Sequence, residues 1–235
     1  MGVLKAVPEY PQSWPMPKSP IPIVIFGAGS IVSDAHLPAY KFSNLPVKGI
    51  YDPDYEKAKK LGQIYNIKVF KDASDAAAEK DVVFDLAIPP SAHREVIETL
   101  PKNSPVILQK PMGSDLNEAS KILSLCHQKS LMACVNFQLR FAPLMIALKD
   151  IIDQGLIGQV VDVDMWAALD TPWGLWKFLE GLPRVEILLH SIHYLDAIRN
   201  LIGNPIGVFT PRQWVILHQK YLIQEHQQYL IMVMN

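Results

Sequence analysis

The sequence predicts an α/β protein in which a doubly wound parallel-sheet domain precedes an incomplete α+β domain. From Ile21 onward, short β-branched runs alternate with segments of helical period, the pattern of βαβ units around a parallel sheet. The turn Gly27-Ala28-Gly29-Ser30 falls between the first of these runs and a helical segment. After Phe137 the pattern changes to one of strands with a polar face.

Ile23 to Phe26 is expected as the first strand, followed by a helix through Ala35 to Phe42 and a strand at Val47 to Tyr51. A helix from Tyr55 to Tyr65 and a short strand at Lys68 to Phe70 come next. The second half repeats the scheme with strands at Asp81 to Ile88, Val106 to Leu108 and Met132 to Phe137, and helices at Ala92 to Leu100 and Leu116 to Lys129. These strands complete a doubly wound domain over residues 21–137. In the partial second domain, residues 138–211, a helix at Ala142 to Gln154 precedes Gln159 to Leu169. There Val161, Val163 and Met165 alternate with Asp162, Asp164 and Trp166, as in a half-exposed strand. Glu186 to Ile202 reads as a helix stopped by Gly203, Asn204 and Pro205.

Composition excludes several classes. Of 235 residues, 49% are hydrophobic and 19% charged, enough apolar material for a core and unlike a disordered chain. Twenty-two Lys and Arg against 23 Asp and Glu leave a net charge of -1, which offers no basic field for nucleic acid or an anionic membrane. The only two cysteines, Cys126 and Cys134, are too few for a disulfide or zinc framework and are expected as buried, reduced thiols. With no membrane-spanning run and no basic-then-apolar leader, the expected compartment is the cytoplasm. Six of the 19 prolines crowd the first 22 residues, so 1–20 is expected as an extended arm.

A glycine pair between a strand and a helix lets a pyrophosphate approach backbone N–H groups at the positive helix end, which is the Rossmann dinucleotide turn. Gly27, Ala28, Gly29, Ser30 and Ile31 are the candidates for that contact. The third glycine of the fingerprint is replaced by Val32. Asp52, at the tip of the second strand, can accept hydrogen bonds from a ribose diol and would repel a 2′-phosphate, which points to NAD and makes NADP less suited. The plainer alternative is a tight turn with Asp52 as a helix cap.

The glycine turn, Ala87-Ile88-Pro89-Pro90-Ser91-Ala92-His93, Gln109-Lys110-Pro111, Asn136-Phe137-Gln138-Leu139-Arg140-Phe141 and His193-Tyr194-Leu195-Asp196 occur in that order. Together these blocks resemble the glucose-fructose oxidoreductase, inositol dehydrogenase and rhizopine-catabolism family, written Gfo/Idh/MocA, over about Ile21 to Val208. The resemblance implies a two-domain NAD(P)-dependent oxidoreductase acting mostly on sugars and cyclitols.

Lys110 follows an apolar strand at the carboxyl edge of the expected sheet, where open α/β folds bind ligands. The resemblance places it near the nicotinamide and the reacting carbon, although the family's Glu-Lys-Pro is here Gln109-Lys110-Pro111. Pro89 and Pro90 turn the chain over the same edge, and the resemblance makes His93 a cofactor contact. Spacings of four and three bring Glu186, His190 and His193 near one helix face. His193 matches the family's catalytic histidine; the acid expected four residues earlier is Leu189, with His190 beside it. An imidazole at His193 could take the hydroxyl proton as hydride leaves carbon, while Lys110 steadies the developing oxyanion. The same face could instead hold a divalent metal through Glu186, His190 and His193. The expected partner is a small polyol or sugar, and a full-length form could pair copies through the second-domain sheet. The rival function is a non-catalytic dinucleotide-binding or regulatory protein of the same fold, consistent with Gln109 and Leu189.

Residues 212–235 break the preceding pattern. Over Gln224 to Asn235, a frame displaced by one nucleotide yields residues of a strand running into a glycine turn. The expectation is a shifted frame or gene-model error that leaves the second sheet short, with a genuine amphipathic helix as the alternative.

Overall fold

A computed structural model of the chain describes residues 10–166, 187–209 and 231–233. Six parallel strands form one sheet: β1 (Ile23–Phe26), β2 (Val47–Tyr51), β3 (Lys68–Val69), β4 (Val83–Leu86), β5 (Pro105–Leu108) and β6 (Met132–Val135). Their order is β3-β2-β1-β4-β5-β6, so the winding reverses between β1 and β4. Every residue of β1 is buried, because helices cover both faces of a parallel sheet and an alternating sequence would put polar groups in the core.

The helices of this unit are α1 (Leu37–Phe42), α2 (Tyr55–Tyr65), α3 (Ala73–Ala77), α4 (His93–Thr99) and α5 (Leu116–Gln128). Val24, Phe26, Phe84, Leu86, Val106 and Leu108 pack on one face with Ala76, Ile97 and Ile122 of α3, α4 and α5. Ile23, Ile25 and Ile50 pack on the other with Val32, Leu37, Ala58 and Leu61 from the α1 and α2 side. The sequence reading passed over α3, which at five residues is too short to display a period. Cys126 is buried in α5, but Cys134 is exposed on the edge strand β6, which corrects the expectation of two buried thiols.

The helix after the glycine turn begins with a π-helical turn, Val32–His36, before α1. The Leu37 N–H bonds back to the Val32 carbonyl, five residues earlier. Pro38 has no N–H and its ring would strike the carbonyl of Asp34 in a regular α-helix, so the widened turn relieves that conflict.

Residues 17–136 form one compact unit, and the described residues on either side of them form a second. Residues 10–22 carry neither helix nor strand. Within the second unit, Trp14 meets the Phe141 ring edge-on at 5.5 Å. Its further elements are α6 (Pro143–Asp153), a π-helical turn Ile187–Ser191 leading into α7 (Ile192–Ile202), and strands β7 (Gly207–Phe209) and β8 (Ile231–Val233). Gly203 stops α7 at φ +91°, where a side chain would be strained.

The strand expected at Gln159 to Leu169 is not formed over 159–166, and 167–169 lie outside the described residues. Val161 and Trp166 are exposed. Alternation sorts side chains onto two faces but supplies no partner for the backbone, and no described strand pairs with this segment. Of the anomalous tail, Ile231–Val233 is described as strand β8, antiparallel to β7; residues 212–230 lie outside the described set. No described helix is long and apolar enough to cross a membrane.

Candidate active site

The carboxyl ends of β1, β4 and β5 bring three of the sequence-selected segments to one edge of the sheet. Gly27 leaves β1 at φ +110°, and a Cβ there would lie 2.3 Å from the Ala87 carbonyl oxygen at the end of β4. Only glycine fits this approach. Around Gly29 nothing stands within 4 Å of where a Cβ would be, so the outer side of the turn is open. Ser30 and Ile31 are exposed there, at the start of the helix, where backbone N–H groups have no intrahelical acceptor.

Asp52 joins this turn directly. Its Oδ2 accepts the Ala28 N–H at 2.7 Å and its Oδ1 accepts the Asp54 N–H at 2.8 Å. Each oxygen keeps a further lone pair for a ligand hydroxyl. Where the fingerprint has a third glycine, Val32 is fully buried, filling the space between helix and sheet with its own side chain. The open glycine turn, helix start and carboxylate fit the diphosphate and ribose of a dinucleotide.

At the end of β4, Pro89 is exposed and Pro90 buried. His93 is also buried, and its Nδ1–H donates to the Met112 carbonyl at 2.9 Å. Burial pushes its pKa below the usual imidazole value, so the ring stays neutral while it holds the loop after Lys110. Gly113 continues this packing: a Cβ there would lie 2.6 Å from the Ala119 backbone nitrogen in α5. Gln109 and Lys110 are half-buried between β5 and this anchored loop.

Beneath the edge lies a polar group that sequence reasoning missed. Asp85 of β4 is fully buried and accepts bonds from His36 Nδ1 at 2.6 Å and the Tyr40 hydroxyl at 2.9 Å. Gln109 Nε2 donates to it at 3.4 Å, and Gln109 Oε1 accepts from Asn136 Nδ2 at 3.2 Å. Burial, then the Asp85 charge, drives the Tyr40 pKa upward and keeps its hydroxyl a donor. The available signal was one acid inside the apolar run Val82 to Ile88.

In the second unit, His193 is buried on α7, with the Phe137 ring edge-on at 6.0 Å. One turn on, Asp196 receives the Arg140 guanidinium as a fork, Nε to Oδ2 and Nη2 to Oδ1 both at 2.5 Å. That fork joins the segment after Phe137 to α7. Leu189 is buried and His190 half-buried in the preceding π-helical turn. Glu186 lies outside the described residues, and no group of three metal-ligating side chains occurs among the described ones.

A model of an oxidoreductase family with an NAD-binding Rossmann fold, Gfo/Idh/MocA, matches residues 21–137. YceM of Salmonella typhimurium is 30% identical over 128 residues, covering 54% of this chain and 42% of its own. D-glucoside 3-dehydrogenase of Escherichia coli is 26% identical over 201 residues, covering 81% and 56%. The chain spans about half the length of these relatives. An oxidoreductase from Agrobacterium radiobacter, solved with NAD+, L-tartaric acid and magnesium, superposes with a TM-score of 0.70 at 21% identity, over 85% of this chain and 59% of that one. That likeness is one of fold.

Two outcomes follow from this geometry. Gly27→Ala should cost about 2–3 kcal/mol of stability in urea unfolding, from clash and φ strain, and abolish NADH binding; a variant with wild-type stability and affinity would contradict the close approach. His93 should make stability fall on the acid side. Below about pH 6.5 the unfolded chain takes up a proton that the buried ring refuses, so stability declines until the lower folded pKa is reached, by at most about 1.4 kcal/mol per pH unit. In His93→Gln, which can still donate to Met112, unfolding should lose that component below about pH 6.5.

Proposed function

Because the chain belongs through residues 21–137 to the Gfo/Idh/MocA oxidoreductase family, we propose that it transfers hydride between a nicotinamide dinucleotide and a sugar- or cyclitol-like carbinol. The observation that carries this reading is the placement of Gly27, Pro89-Pro90 and Lys110 at the carboxyl ends of β1, β4 and β5, across the reversal in strand order. A nicotinamide bound at this edge supplies the hydride acceptor for oxidation of the carbinol.

The backbone from Gly27 to Ile31 takes the pyrophosphate, and Asp52 accepts the ribose hydroxyls. Pro89 and Pro90 shape the nicotinamide end of the cleft, and His93 contributes by holding the Met112 loop. The Lys110 ammonium stabilises negative charge developing on the substrate oxygen. His193 is the candidate base for the carbinol proton, so that hydride and proton leave as a C–H and an O–H bond break. His190, in the turn leading into α7, is the candidate of lesser weight. The name of the E. coli relative, a sugar dehydrogenase, favours this over a purely sensory role.

NADH should bind at least about tenfold more tightly than NADPH, because the 2′-phosphate would meet the Asp52 carboxylate. Fluorescence titration of both cofactors tests this, and equal affinities would remove Asp52 from the ribose. Reduction of NAD, followed by absorbance over a panel of polyols and sugars, should identify a substrate. On that substrate Lys110→Ala and His193→Ala should each lower kcat by about two orders of magnitude or more with NADH affinity unchanged, and His190→Ala by less. Full activity in Lys110→Ala would end its assignment.

A further inference from the structure

Asp85 is the one fully buried carboxylate among the described residues, and nothing in the proposed hydride transfer uses it. It stands on β4 beside the strand-order reversal, hydrogen-bonded to Gln109, the neighbour of Lys110. Two elements converge on it directly, and a third through Gln109. His36 and Tyr40 reach its Oδ2 from the helix that follows the glycine turn, and Gln109 reaches its Oδ1 from the end of β5. Gln109 in turn takes the Asn136 amide from the end of β6. Among the described residues, the titratable groups bonded to Asp85 are His36 and Tyr40, with Cys134 on β6 next along the register Asp85, Ile107, Cys134.

The chemistry of this cluster fixes what position 109 can be. A buried carboxylate needs donors, and an amide supplies one to Asp85 while its oxygen accepts from Asn136. A carboxylate at 109 would set two negative oxygens about 3.4 Å apart, one of them on a fully buried acid, which drives one of the pair to take up a proton. The glutamine before Lys110 is thus the neutral complement of Asp85. The negative charge at this sheet edge is carried on β4, and the side chain next to the lysine is oriented by it.

We propose that Asp85 is a positioning residue: through Gln109 and Asn136 it sets the turn that carries Lys110. This rests on the reading of Lys110 as the group that meets the reacting oxygen. The pair should be exchangeable only as a pair. When Asp85→Asn and Gln109→Glu are combined, the amide introduced on β4 donates to the carboxylate introduced at the end of β5. The other oxygen of that carboxylate still accepts from Asn136, while the carbonyl of the introduced amide still receives His36 and Tyr40.

The test compares Asp85→Asn, Gln109→Glu and the double variant. Gln109→Glu alone should melt at least about 5 °C lower near pH 8 and recover part of that near pH 5.5, as one of the facing carboxylates protonates. Hydrogen exchange of the peptide spanning 109–113 should be about fivefold or more faster in Asp85→Asn and return to within about twofold of wild type in the double variant. On a substrate that the wild type oxidises, Asp85→Asn should lower kcat about tenfold with KM and NADH affinity retained, and the double variant should recover it. Unchanged exchange in Asp85→Asn, or no recovery in the double variant, overturns the proposal. If the wild type oxidises no carbinol, the oxidoreductase reading fails instead, and exchange and melting alone decide whether Asp85 sets the turn.

Discussion

The structure depends on the close approach of β1 and β4 at the point where the sheet reverses its winding. The two strands pair in parallel through Phe26 and Leu86, and then their chains must part. Gly27 can turn away only because it lacks the Cβ that would strike the Ala87 carbonyl. The candidate-site segments of this unit stand around this divergence. The glycine turn lies on one side of it, the proline turn on the other, and the lysine turn one strand beyond.

Burial on both faces makes that arrangement rigid and also sets its electrical terms. The apolar clusters on either side exclude water from the sheet, so a charge placed inside must be met by the protein. Asp52 and Asp85 meet this demand differently. Asp52 is at the rim, bonded to backbone N–H groups and able to accept more from a ligand. Asp85 lies inside, and its oxygens are taken by side chains from the first helix and from β5. One carboxylate keeps lone pairs open at the rim; the other ties together the secondary elements beneath it.

Much of this site was legible because its residues act through local geometry. Gly27 announces a turn by its place between strand and helix, Asp52 by its place at a strand tip, and Lys110 by following an apolar run with a proline behind it. The polar cluster was not legible in that way. His36 and Asp85 are 49 residues apart, and Tyr40 and Asp85 are 45 apart, so no periodicity links them. His93 was read as a contact for the cofactor, and only its burial against Met112 shows the loop-holding hydrogen bond it makes. The alternation over Gln159 to Trp166 misled for the opposite reason: it describes side chains, whereas a strand exists only where a neighbour completes its hydrogen bonds.

The sequence by itself determined the parallel sheet, its reversal-point glycine turn and the chemical kind of the residues at its edge. Those follow from apolar periodicity, from glycine's missing Cβ and from the fixed alternation of strand and crossover. Tertiary structure decided the rest. It alone determined that Val32 fills the space a third glycine would leave, that Pro38 opens a π-helical turn, and that the Gln109 amide meets a buried acid. These depend on which side chains meet across the sheet, a relation set by packing density and by the low dielectric of the interior rather than by spacing along the chain.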